Sequence, residues 1–448
     1  MANYKYEYVA NTIKEKILCG VYKSGSKLPS IQMLAKELSL NTDTVIRAYK
    51  WLESEHLIYA VAKSGYYVVK STDVIEEGAT IIDMLTTSPA NEVNPYKDFY
   101  HCMEKAISLY EHKLFAYSPT KGMPELINIL QKHMVNYQIF AKEQDIFMTS
   151  GAQQALFILA SMSFPSGQNT ILVEQPTYPV MLETIRVNNA SVIGIHRTAN
   201  GLDLAELERI FAQNTIKFFY LMPRFQNPIG FSYSNRQKKE ILRLAKKYHV
   251  YIVEDDYLAD LELNPRNDPF AAFDVDNIVI YVRSFSKTLL PGLRLGMAII
   301  PKPLQEEFTK RKNAIDLNSS VFSQGALEIY LRSSMYEMHI KRTKAFYKEK
   351  MELLSKECKK ELKNLARCYI PSTGIFAYIE VEHFSAESFI AKLEKNGLKA
   401  MSTNSAYIDG FAHSEGIRLC TCKADTQSIA RAVQILRQAL LDGDNHSV

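Results

Sequence analysis

The chain has 448 residues, 47% of them hydrophobic and 23% charged, with a net charge of +4. That length exceeds the roughly 250–300 residues at which one core stops growing, so at least two domains are expected. The composition is that of a soluble globular protein, and the lack of an apolar run of about 18 residues excludes a membrane span.

Charge is unevenly spread. Residues 1–70 hold ten Lys/Arg against six Asp/Glu, the whole of the net excess, which suits an anionic partner for this segment. Met1-Ala2-Asn3-Tyr4-Lys5 has no apolar signal core. Six cysteines are scattered along the chain, and Cys420-x-Cys422 lacks the two-residue spacing of a zinc knuckle. A reduced, cytoplasmic protein without disulfides or a metal site is expected.

In chain order, Val9, Ile13 and Ile17 mark one face of a first helix that stops at Gly20. Ser30 is a cap for a second, with Ile31, Leu34, Ala35 and Leu38 on one face. Asn41 or Thr42 caps a third, carrying Val45, Ala48, Tyr49 and Leu52. Two short amphipathic helices with a tight turn make a helix-turn-helix. Ile58–Ala62 and Tyr66–Val69, flanking Lys63-Ser64-Gly65, read as a hairpin wing. The third helix would enter a major groove of double-stranded DNA. Candidate contacts are Ser30, Thr42, Asp43, Thr44, Arg47 and Lys50, with Lys63 on the wing; Arg47 suits guanine or phosphate, and the lysines suit phosphate. Leu28-Pro29-Ser30, Leu34-Ala35, the run Asn41 to Tyr49, Leu52-Glu53 and Gly65 resemble the GntR-type winged helix-turn-helix. This domain is assigned to residues 1–70, followed by a short polar linker over 71–80.

From Ile81 the chain alternates helices with apolar strands, the pattern of an α/β domain with a mainly parallel sheet. The polar clusters fall where strands end. Asp145–Thr149 runs into Ser150-Gly151-Ala152-Gln153 and a helix, a ready phosphate cradle. Thr170–Val173 leads to Tyr178, Phe218–Met222 to Asn227-Pro228, and Val250–Val253 to Glu254-Asp255-Asp256-Tyr257. Ile278–Val282 leads to Ser284-Phe285-Ser286-Lys287, with Arg294 beyond an irregular turn at Pro291-Gly292. Open α/β sheets bind ligands at these carboxyl ends.

A lysine beside a phosphate site suits a phosphate-bearing aldehyde, which points to pyridoxal 5′-phosphate bound to Lys287 as a Schiff base. That cofactor needs a carboxylate at its ring nitrogen, for which Asp255 is first choice and Asp256 second. It needs donors at its phenolic oxygen (Asn227 and Tyr257) and a flat partner for the ring (Tyr178). Its phosphate needs Ser284, Ser286, Arg294 and the Ser150–Gln153 turn, including the amides of Ala152 and Gln153.

Residues 81–440 closely resemble fold-type I aminotransferases of the α-aminoadipate/kynurenine-like branch. The likeness rests on Tyr117 to Leu126, Gln226-Asn227-Pro228, Glu254 to Tyr257, the Lys287 loop, Pro371 to Gly374 and Ile417-Arg418-Leu419. It implies that Lys287 forms the internal aldimine and that Arg418 pairs with an amino-acid carboxylate. It also implies a homodimer in which Tyr117 reaches the other subunit's cofactor phosphate. A smaller C-terminal α+β subdomain is expected over about residues 320–448.

A GntR-like winged helix joined to an aminotransferase-like domain resembles the MocR-type regulators. The resemblance implies a DNA-binding regulator that senses an amino acid or pyridoxal phosphate through the aldimine at Lys287, with head-to-tail exchange of DNA-binding domains as one arrangement. The alternative is an active aminotransferase, converting an amino acid to its 2-oxo acid, that carries a DNA-binding domain.

Overall fold

Ser30 and Asn41 start the second and third helices for the same physical reason. Each sits in extended backbone, and its side-chain oxygen accepts a bond from an amide of the first turn that has no helical partner. Met33 N donates to Ser30 Oγ at 3.2 Å and Thr44 N to Asn41 Oδ1 at 2.9 Å, so Asn41 is the cap and Thr42 the first helical residue. The computed structural model describes residues 5–444 except 19, 24, 56, 62–63, 70–80, 166 and 382–383. Lys63 and the expected linker lie outside the described residues.

The chain divides into two units, residues 1–80 and 81–448. The first contains helices Lys5–Leu18, Ile31–Glu37 and Thr42–Ser54 and the antiparallel hairpin Ile58–Val61/Gly65–Val68. Val9, Ile13, Leu34, Ala35, Val45, Ala48, Tyr49 and Leu52 form its core, closed by Ile58 and Val68 of the hairpin. Tyr49 ties the third helix to the turn before the second by donating its hydroxyl to Pro29 O at 2.7 Å.

The second unit is built on an eight-stranded sheet. Its strand order is Ile146–Thr149, Gly296–Ile299, Val279–Ser284, Tyr251–Asp255, Ile216–Leu221, Thr170–Gln175, Ser191–Thr198, Gly201–Leu202. The strands from Val279–Ser284 to Ser191–Thr198 are parallel, and Gly296–Ile299 and Gly201–Leu202 pair antiparallel with their neighbours. Ile146–Thr149 and Ile216–Leu221 are buried along their whole length. That is why they read as apolar runs and not as alternation, broken only by Lys217, whose ammonium donates to Ala160 O at 2.8 Å: helices cover both faces.

A four-stranded antiparallel sheet, ordered Arg367–Tyr369, Phe376–Glu380, Gly416–Cys420, Met401–Ser402, forms the C-terminal subdomain. It packs with the helices Met335–Glu361, Ala386–Lys395 and Thr426–Asp444 around Met351, Leu354, Phe389, Ile417 and Leu436. Two boundaries differ from the sequence expectation. Helix Val321–Arg332 packs against Tyr96–Tyr110 and Pro124–Met134 in the large layer, because Ala326, Leu327 and Tyr330 complete the core formed by Phe99, Ala106 and Leu126. Ile82 and Met84, at the start of the unit, join the C-terminal core instead. The strand Ile82–Asp83 pairs parallel with Leu398–Lys399, and Cys420 N donates to Met84 O at 2.8 Å.

Candidate functional site

The carboxyl ends of the sheet strands surround a cavity of about 500 Å³. Lys287 follows the strand Val279–Ser284, in a loop pinned on both sides. Phe285 and Leu289 are buried, Phe285 N bonds Leu295 O at 3.2 Å, and Leu289 N bonds Phe285 O at 2.9 Å. These anchors turn Ser284, Ser286 and Lys287 into the cavity. Lys287 Nζ donates to Thr87 Oγ1 at 2.7 Å and to Thr87 O at 3.3 Å. Burial pushes its ammonium below the usual lysine range, with Arg418 and Arg294 adding to the effect against the opposing thiols of Cys422 and Cys420.

Opposite the loop, Gly151 (φ +83°) turns the chain from Ile146–Thr149 into the helix Ala152–Ser161. A Cβ on Gly151 would stand 2.9 Å from Arg294 Nη2, and one on Gly296 would stand 2.6 Å from the Ala152 amide nitrogen. Only glycine lets the guanidinium and the helix amides approach this closely. Arg294, Ser284, Ser286, Ala152 and Gln153 all line the cavity, forming a cationic, donor-rich corner at a helix N-terminus.

Asp255 ends its strand at the cavity wall, 4% exposed. Its Oδ2 accepts from the Tyr220 hydroxyl at 2.8 Å, and Oδ1 has no hydrogen-bond partner among the described residues. Burial raises this carboxyl to about 7, against the lowering effect of the Tyr220 bond. Asp256, the second choice from sequence, is consumed elsewhere. Arg224 pairs with it through Nε and Nη2, and the Tyr281 hydroxyl donates to it at 2.9 Å.

Arg418 lies on the strand Gly416–Cys420, 5% exposed. Nη1 donates to Asn227 Oδ1 and Nη2 to Leu85 O, each at 3.2 Å, while Nε has no partner among the described residues. Its guanidinium carbon sits 4.4 Å from the centre of the Phe376 ring. Tyr178 and Tyr257 complete the wall. The Tyr257 hydroxyl donates to Phe225 O, so its proton is directed at the backbone and not at the donor position expected from sequence.

Two sequence candidates stand apart from this cavity. Ser150 turns its hydroxyl to Asp316 Oδ2 (2.9 Å), and its amide bonds Gln154 Oε1 (2.8 Å), so neither group faces the cradle. Tyr117 is 88% exposed and does not line the cavity. Conversely, Leu85, Thr86 and Thr87 line it without having been picked out. They arrive through the two-residue pairing of Ile82–Asp83 with Leu398–Lys399, a contact across more than 300 residues that leaves no local signal. Tyr220 was missed because it sits inside an apolar strand.

In the N-terminal unit Thr42, Asp43, Arg47 and Lys50 are exposed on the third helix, and Ser30 is exposed at the start of the second. The Thr44 hydroxyl is engaged with Asn41 Oδ1 within the cap.

Residues 91–436 match the model for aminotransferase class I and II, and residues 5–68 match the model for bacterial regulatory proteins of the gntR family. The HTH-type transcriptional regulator YcxD of Bacillus subtilis is 40% identical over 97% of this chain and 100% of its own. The chain belongs to the MocR-type transcriptional regulators. NorG of Staphylococcus aureus, another HTH-type transcriptional regulator, is 26% identical over 79% of this chain and 86% of its own. Among solved structures, Pyrococcus horikoshii kynurenine aminotransferase in complex with PMP superposes with a TM-score of 0.76 at 25% identity, covering 82% of this chain and 92% of that one. The N-terminal unit of this MocR-type chain is thus a DNA-binding domain, and the cofactor that goes with its large domain is pyridoxal 5′-phosphate.

The residues present fit that group. The unpartnered Oδ1 of Asp255 matches a protonated ring nitrogen, and the glycine-dependent corner at Arg294 matches a phosphate. Among the described residues no helix is long and apolar enough to cross a membrane.

Proposed function

We propose that this MocR-type chain is a ligand-responsive regulator whose large domain senses an amino acid, or the cofactor itself, at Lys287 and Arg418. The observation that carries this reading is one short segment holding both residues. Thr87 occupies Lys287 Nζ, and the Leu85 carbonyl occupies Arg418 Nη2. This segment follows directly in sequence on residues 71–80, which lead from the DNA-binding domain.

Bound pyridoxal phosphate supplies a reactive aldehyde carbon and an electron-withdrawing ring. Arg294, Ser284, Ser286 and the amides of Ala152 and Gln153 would hold its phosphate, Asp255 would hold the proton on its ring nitrogen, and Tyr178 would supply a flat partner for the ring. Lys287, whose Nζ donates to Thr87 here, would supply the amine for that aldehyde carbon. The lowered lysine range favours this, because the neutral amine is the nucleophile. A carboxylate arriving at Arg418 finds the free Nε and takes over Nη2 from Leu85. Cofactor binding would thus give up the Thr87 contact of the 81–90 segment and carboxylate binding its Leu85 contact, and a ligand shifts a two-state equilibrium only through such differential contacts.

A homodimer is part of the proposal. Tyr96, Tyr100, Ile107, Phe115 and Tyr117 expose large apolar surface on and after one helix of the large domain, a feature that marks association surfaces.

The test is binding of the purified full chain to the DNA upstream of its own gene at low salt, with and without pyridoxal phosphate and amino acids. Binding that changes with the ligand is expected. No specific binding under any condition sinks the regulator reading, and sustained turnover of an amino acid with 2-oxoglutarate would move the account to the enzyme reading.

A further inference from the structure

The residue after Lys287 is held by a buried network whose members do not line the cavity. Thr288 is 2% exposed, and its hydroxyl donates to Asp260 Oδ2 at 2.9 Å. Its carbonyl accepts from His339 Nε2 at 2.6 Å. Together with the bond from Leu289 N to Phe285 O, these contacts fix the backbone beyond Lys287 and leave its side chain to reach into the cavity. Asp260 stands on the short turn Ala259–Leu261, on the same segment as Asp255. Its Oδ1 takes the Arg283 guanidinium and the hydroxyls of Tyr137 and Tyr336. Burial raises this carboxyl, but Arg283 and the two hydroxyls outweigh it and hold the group well below the usual carboxylate range. Thr288 therefore makes a charge-assisted bond to an acceptor that is already anchored. Asp260, Arg283, Thr288, Tyr336 and His339 are each 2% exposed or less, so the network is complete within one chain.

We infer that Asp260 is a positioning residue for Lys287: through the Thr288 hydroxyl it sets where the lysine amine stands against the cofactor's aldehyde carbon. This rests on the reading above, in which Lys287 joins that carbon. In the joining step the neutral amine adds to the aldehyde carbon and a C=N bond replaces C=O. The aldehyde oxygen leaves as water with the two amine protons. Such a step depends steeply on where the nitrogen is held. The groups that suit the phosphate and the ring nitrogen, Arg294, the Ala152 amide and Asp255, are held by other contacts. Loss of the Thr288 anchor should therefore weaken the bond to the lysine and leave recognition of phosphate and ring in place. Thr288 is the residue to change, because loss of Asp260 would strip buried Arg283 of its countercharge.

The experiment compares two cofactor forms by calorimetric titration of the cofactor-free full chain. Pyridoxal 5′-phosphate carries the aldehyde; pyridoxamine 5′-phosphate carries an amine in its place and cannot join Lys287. Thr288→Val removes the hydroxyl and keeps the shape, Thr288→Ala removes it with less bulk, and Thr288→Ser restores it. In Thr288→Val the aldehyde form should bind about tenfold or more weaker, and the amine form should change by less than about twofold. Thr288→Ala should show the same split, and Thr288→Ser should return the aldehyde form to within about threefold of the parent. Equal weakening or loss of both forms in the Val and Ala variants would assign the bond to the fold alone and overturn the inference. Unchanged affinity for both forms would overturn it too, with the sensing reading intact. The control is Lys287→Ala: if it binds the aldehyde form as tightly as the parent does, the reading at Lys287 falls, and this inference with it.

Discussion

Replacing Asp255 by asparagine tests the cofactor site without reference to DNA. In the cofactor-free protein the carboxyl is buried, one oxygen is unpartnered, and its pKa is raised from 3.8 to about 7. A carboxyl raised in the folded state favours folding only while protonated. Its contribution is full below the unfolded value near 4 and is lost as pH rises through about 7. Linkage arithmetic between those two values puts the penalty at about 2 kcal/mol at pH 5 and about 4 kcal/mol at pH 8. Asparagine keeps the shape and the acceptor for Tyr220 but carries no charge. Cofactor-free Asp255→Asn should therefore be more stable than the parent, with an advantage that grows by about 2 kcal/mol from pH 5 to pH 8. Buried Glu254, also raised to about 7, is common to both proteins and cancels in the difference. Urea unfolding of the two proteins at both pH values measures this. The same substitution should loosen pyridoxal phosphate by roughly 10–100-fold, since it removes a charge-assisted bond to the ring nitrogen. Parallel stability curves for the two proteins, or unchanged cofactor affinity, would refute the assignment of Asp255.

Three further outcomes are expected. Gly151→Ala puts a methyl group 2.9 Å from Arg294 Nη2 at a φ of +83°, so spectroscopic titration should show cofactor affinity lowered by at least about tenfold. Arg47→Ala removes an exposed cation from the third helix; anisotropy titrations should show weaker DNA binding and, if the contact is to phosphate, a log–log salt slope smaller by about 1. Leu52→Ala empties part of the N-terminal core and should lower that domain's stability by about 2–5 kcal/mol in chemical unfolding.

Much of this architecture was legible because its signals are local. Ser30 and Asn41 announce helix starts, and Val45, Ala48, Tyr49 and Leu52 are buried as their spacing predicts. The large-domain strands were recognisable because burial on both faces makes them apolar runs, and the polar residues after them could only lie at their ends. What escaped was side-chain direction and long-range pairing. Ser150 stands beside Gly151 in sequence, yet its hydroxyl serves Asp316. The Tyr257 hydroxyl bonds Phe225 O, a partner no motif specifies. The choice between Asp255 and Asp256 follows from strand alternation, which turns one toward the cavity and the other toward Arg224. The segment from Leu85 to Thr87 was read only as the start of a domain. Its place against Lys287 and Arg418 depends on a two-residue pairing with Leu398–Lys399.

The most direct test of the central claim is the ratio of DNA dissociation constants with and without a saturating amino acid, measured on the cofactor-loaded chain and on Arg418→Ala at the same salt. The account predicts a ratio of about 5–150 in the parent, the usual range of coupling between two sites. In Arg418→Ala, where a carboxylate no longer displaces Leu85 O, the ratio should collapse to one at the same amino-acid concentration. A ratio that stays the same in the variant would contradict the account.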